Sequence, residues 1–144
     1  MADAAENGDI ALTKQLLKEG AEVNEAQGDG MTALHWAAEK GNSKLVDILI
    51  YAGANPMAGT RIGQYKPLHL AAKKGNTDII NILLETGIDP NIKTSNSGST
   101  ALHLAAASGD IESVISLLLA GAQIDIRENA WGQTLLFLLR LQIM

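Results

Sequence analysis

The amino-acid sequence predicts an all-α solenoid: helix–turn–helix units stacked in a row, with extended β-turn fingers between them. Three observations carry this. Thr32-Ala33-Leu34-His35-Trp36-Ala37-Ala38, Lys66-Pro67-Leu68-His69-Leu70-Ala71-Ala72 and Thr100-Ala101-Leu102-His103-Leu104-Ala105-Ala106 recur 34 residues apart, and Thr134-Leu135-Leu136-Phe137 begins a further copy. Gly8, Gly41, Gly75 and Gly109 each stand directly before an Asp or an Asn. Gly20, Gly53, Gly87 and Gly121 each close a run of apolar residues at helical spacing. A fixed period of this size marks one supersecondary unit used repeatedly, each burying its apolar face on its neighbours.

Within a unit the elements follow in a set order. Thr32, Thr100 and Thr134 precede the first helix, where a hydroxyl accepts free N–H groups. In one copy Pro67 takes the first helical position, where a missing N–H costs nothing. The Ala-Ala pairs that follow let neighbouring helices approach closely. The glycine after them ends the helix, and Asp9, Asn42, Asn76 or Asp110 is expected to cap the second one. Leu45, Val46, Leu49, Ile50 and Ile79, Ile80, Leu83, Leu84 give the second helices an apolar face. The closing glycine suits a left-handed C-terminal turn. Helices are expected near residues 2–8 and 10–19, 33–40 and 43–52, 67–74 and 77–86, and 101–108 and 111–120. Turn-rich connections such as Ala21-Glu22-Val23-Asn24 and Ile88-Asp89-Pro90-Asn91 lead from each unit to the next finger.

Composition narrows the function. The 144 residues suffice for one domain, with units of about 1–26, 27–60, 61–94, 95–128 and a partial 129–144. The 47% apolar content excludes a disordered acidic tail, and 3% aromatics with abundant Ala and Leu suits short, closely stacked helices. The net charge of −5 opposes nucleic acid as a partner. Charge is uneven: residues 1–26 hold six acids against two Lys, whereas residues 61–94 hold five basic residues against three acids. That basic third is read as a solvated face. Cysteine is absent, which removes disulfides and thiolate chemistry. The start lacks the basic and apolar regions of a signal peptide, and no apolar run reaches the ~20 residues of a spanning helix. A cytoplasmic protein without membrane attachment is the simplest expectation.

The pattern closely resembles the ankyrin repeat, G-x-T-P-L-H-x-A-A-x-x-G followed by L-L-x-x-G-A-D-x-N, over essentially the whole chain. Departures are specific. The first unit starts inside its first helix, with no finger. In the third, Lys66 replaces the capping Thr and the finger glycine falls one place early, at Gly63. In the last, Phe137 replaces His, Leu139-Arg140 replaces Ala-Ala, and the chain stops before a second helix. The spacing of 34, against 33 between Gly8 and Gly41, implies one extra residue in each inner finger.

Evenly spaced His35, His69 and His103 raise the question of a metal. Stacked helices lie about 8–10 Å apart, and ring nitrogens must come within about 2.1 Å of a shared Zn²⁺, so successive layers cannot converge on one ion. The resemblance implies that these rings bond the backbone of neighbouring fingers. No nucleophile elbow, zinc-protease helix or phosphate loop occurs, so no enzyme, cofactor or metal is expected.

The resemblance further implies a concave groove, lined by finger tips and the exposed side of each first helix, that binds a protein partner. By position the candidates are Asp29, Met31, Glu39 and Lys40 in the second unit and Ile62, Tyr65, Lys73 and Lys74 in the third. The fourth offers Asn96, Ser99, Ala107 and Ser108, and Trp131 and Gln133 continue into the last. Met31, Tyr65 and Trp131 carry apolar or aromatic surface of the kind enriched in interface anchors. Trp36 falls at an inner helix position and is read as core. The rival reading is an engineered or reconstructed repeat scaffold without a natural partner, self-associating as a homodimer through its apolar C-terminal helix.

Overall fold

A computed structural model describes residues 1–124. Among the described residues it holds eight helices and no strand: α1 (Ala2–Glu6), α2 (Ile10–Lys18), α3 (Ala33–Lys40), α4 (Ser43–Tyr51), α5 (Pro67–Lys74), α6 (Thr77–Glu85), α7 (Ala101–Ser108) and α8 (Ile111–Leu119). They form four antiparallel pairs, close to the expected bounds. The inner helices α1, α3, α5 and α7 pack in sequence, and α4, α6 and α8 form an outer row behind them. None of these helices is long and apolar enough to cross a membrane.

The core runs between layers. The Ala pairs of α3, α5 and α7 are buried, so the inner helices touch almost backbone to backbone. Leu45, Val46 and Leu49 of α4 and Ile79, Ile80 and Leu83 of α6 are fully buried against them. One set of positions reveals the stack's direction. Leu45 and Ile79 are shielded by the preceding layer, whereas the equivalent Leu12 of α2, in the first of the described layers, is 41% exposed.

Thr32 and Thr100 cap α3 and α7 as expected, each accepting the N–H of the histidine three residues on at 3.4 Å. Asp9 and Asn42 cap their helices through Leu12 N (2.9 Å) and Leu45 N (3.1 Å). Asn76 and Asp110 do not cap. Asn76 Nδ2 donates 2.9 Å to the Ala38 carbonyl in the last turn of α3, and Asp110 Oδ2 accepts from Thr77 (2.9 Å) and Ser113 (2.6 Å). The preceding layer supplies partners that an isolated helix lacks, so these side chains tie layers together instead.

The fingers locate the extra residue. The second unit's finger closes from Gln27 N to Met31 O (2.9 Å). The third closes from Thr60 N to Tyr65 O (3.0 Å) and the fourth from Thr94 N to Ser99 O (2.9 Å), each one residue longer. At the same register in all three, the chain is left-handed: Gly30 (φ 85°), Gln64 (φ 50°) and Gly98 (φ 66°). Gln64 alone carries a side chain in that conformation. Behind the fingers, Asn24 clips the first connection to the second by accepting from Asn55 N (2.7 Å) and donating to Gly53 O (3.3 Å). Asn91 repeats this clip with Gln123 N (2.7 Å) and Gly121 O (3.1 Å). Met57 stands at the same register between the second and third units and supplies no such amide.

Candidate protein-binding surface

Backbone bonds hold the fingers side by side: Arg61 N donates to Asp29 O and Ser95 N to Gly63 O, both at 2.8 Å. The histidines fasten the inner helices to the next finger. His35 Nδ1 accepts from Thr32 N (3.2 Å) and His69 Nδ1 from Lys66 N (2.9 Å). An N–H donor on Nδ1 fixes the proton on Nε2, which then donates 2.8 Å to Tyr65 O from His35 and to Ile92 O from His69. Burial holds both rings below the ordinary histidine value of 6.5, against the opposing pull of those carbonyls. Both nitrogens of each ring are thus committed to backbone, which makes these two residues structural. His103 Nδ1 repeats the contact to Thr100 N at 3.0 Å.

Against this frame the predicted contact residues separate. Asp29, Lys40, Ile62, Lys73, Lys74, Asn96, Ala107 and Ser108 are exposed, and Glu39, Tyr65 and Ser99 are half-buried. Several are held in place. Asp29 accepts from Met31 N (2.9 Å), Asn96 from Ser97 N (2.8 Å), Ser99 Oγ meets Ser97 Oγ (2.9 Å), and Ser108 Oγ donates to Ala105 O (2.7 Å). Ile62 is 81% exposed at the finger tip. The Tyr65 ring stands edge-on to His69, centroids 6.1 Å apart. Met31 is corrected: it is only 8% exposed and belongs to the interior, a long apolar side chain at the base of the finger that is withdrawn from water. Trp131 and Gln133 lie outside the described residues.

Trp36 is also corrected. It is half-buried, not core: its Nε1 donates 2.8 Å to Gln27 Oε1 and the Lys40 ammonium stands 5.7 Å from the ring centroid. An indole is too wide for an interface built around paired alanines, and its N–H requires a partner. The spacing of Trp36 and Lys40, one helical turn, was the available signal. Arg61 was missed as well; it is exposed beside Ile62 on the same finger.

Two family models match the sequence: ankyrin repeats in three copies over residues 1–94, and a single ankyrin repeat over residues 97–129. The chain belongs to the ankyrin-repeat family. Ankyrin repeats are generally non-catalytic modules that bind other proteins. A relative in Caenorhabditis elegans, the ankyrin repeat and LEM domain-containing protein 1 homolog, is 31% identical over 64 residues. That match covers 44% of this chain and 9% of the relative, so the likeness concerns the repeats alone.

Proposed function

We propose that this chain is a non-catalytic protein-recognition module that engages its partner with the finger tips and the exposed flank of the inner helices, centred on the third unit. The observation that carries this reading is Ile62, a large apolar side chain left 81% exposed at the tip of a lengthened finger. Gln64 beside it is in a conformation that costs a side-chain-bearing residue about 1–2 kcal/mol. Tyr65 stands at the base of the same finger and Lys73 and Lys74 are exposed in the last turn of α5, and Asp29, Glu39, Lys40, Asn96, Ser99 and Ser108 extend the surface into the neighbouring units. The partner suited to it offers an apolar anchor for Ile62 and Tyr65 and carboxylates for Lys73 and Lys74. The test is a partner captured by the wild-type chain and probed with Ile62→Asp and with Tyr65→Ala/Lys73→Ala. Both variants should lose binding at least tenfold, which corresponds to about 1.4 kcal/mol, with the melting temperature nearly unchanged. Undiminished binding by both would place the contact surface elsewhere.

A further inference from the structure

The outer helices carry a second surface, independent of the finger-side reading. α4, α6 and α8 pack firmly on one another, whereas α2 meets α4 more loosely. An open groove of about 650 Å³ lies between α2 and α4. Leu17 of α2 and Ile48, Tyr51 and Ala52 from the α4 side give it an apolar lining. Lys14 and Lys18 stand on the α2 side and Asp47 on the α4 side. Tyr51 is 96% exposed, so its ring is not buried against any of the described residues. Lys18, Glu85 and Leu119 end the other outer helices at the same position, so an aromatic is not a requirement of the repeat. Among the described residues, neither lysine ammonium nor the Asp47 carboxylate takes part in an ion pair or a side-chain hydrogen bond.

We propose that this groove seats an amphipathic helix of a partner protein, with two carboxylates one turn apart facing Lys14 and Lys18. The groove walls are helices whose backbone groups are already paired, so an extended peptide would find no edge to bond. A helix arrives with its own backbone satisfied and presents only side chains. Lys14 and Lys18 are four residues apart on α2, about 5–6 Å between Cβ atoms, which is the spacing of two acids at i and i+4 on a helix lying alongside. The partner's apolar stripe covers Leu17, Ile48 and Tyr51, and its opposite flank carries a basic residue toward Asp47. A membrane surface fits less well: it is flat, Asp47 would face it, and the first unit's excess of acids repels anionic lipid.

The test titrates the full chain with a synthetic helical peptide of about 15 residues, carrying a Leu stripe flanked by Glu at i and i+4. Amide NMR shifts report the site. Shifts are expected at residues 14–18 and 47–52. Tyr51→Ser and, separately, Lys14→Glu/Lys18→Glu should each weaken binding about tenfold, the effect of losing one interface anchor. Ile62→Asp should leave it unchanged, and a peptide with Lys in place of Glu should not bind. All substituted positions are exposed or half-buried, and Tyr51→Ser decides the matter should the charge reversal unfold the chain. The proposal is overturned by an absence of shifts, by shifts on the finger side, by equal binding of both peptides, or by association with anionic vesicles or a second copy in preference to the peptide.

Discussion

His35 and His69 show how a residue chosen for geometry acquires a pH dependence. Each ring is folded neutral, because burial opposes its protonation and Nδ1 already receives an N–H. The unfolded chain therefore takes up protons that the folded chain refuses. The stability these rings contribute is complete above 6.5 and is lost as pH falls from there toward their lowered values. Over that window each ring removes up to about 1.4 kcal/mol per pH unit. Urea midpoints should fall steadily below pH 6.5, and His69→Gln should flatten that slope even though it lowers the midpoint at neutral pH. A slope unaltered by the substitution would assign the pH dependence to other groups. Gln64 makes the opposite prediction. Relief of its left-handed strain exceeds the extra chain entropy of glycine, so Gln64→Gly should raise stability by about 0.5–1 kcal/mol. A lowered thermal midpoint would mean that the side chain contributes more than its backbone costs.

Single elements are weak here, and the contacts between them decide their worth. A nine-residue helix such as α6 is too short to persist alone in water. Its stability comes from Ile79, Ile80 and Leu83 buried between layers. Leu83→Ala should cost about 2–5 kcal/mol in chemical denaturation. Leu12→Ala in α2 should cost clearly less, since that side chain faces the open end of the stack. Equal losses would contradict a one-dimensional array in which each layer answers only to its neighbours. The same dependence on neighbours explains Asn76 and Asp110. Their sequence positions match Asn42, yet the Asn76 amide serves the adjoining layer, and the Asp110 carboxylate is divided between Thr77 of that layer and the Ser113 hydroxyl of its own helix, leaving the free N–H groups uncapped.

At the scale of the whole molecule, the ends are the points of exception. The N-terminal layer leaves Leu12 in solvent, and residues 135–144 hold one charge in ten. That segment lies outside the described residues; its sequence alone leads us to propose that it caps the fourth layer or pairs with a second copy. A chain truncated after Glu128 tests this by light scattering and thermal melting. It should be less stable, or lose any self-association of the full chain. A truncated chain as stable and as monomeric as the parent would remove both roles.

How much the sequence determined follows the range of the interactions concerned. The period, the helix pairs, the capping threonines and the turn glycines are local, so spacing and residue type sufficed to place them. The extra finger residue was legible too, because it changes the count between Gly41 and Gly75. Met31, Trp36 and the caps at Asn76 and Asp110 were misjudged for one shared reason. Each side chain's direction is set by an adjoining finger or layer, and no local pattern records what that neighbour offers. Tertiary structure likewise decided which candidate contacts are exposed, and it opened the groove between α2 and α4. That groove depends on how far two packed helices stand apart. Such a distance arises from the sum of many contacts, and no single stretch of sequence encodes it.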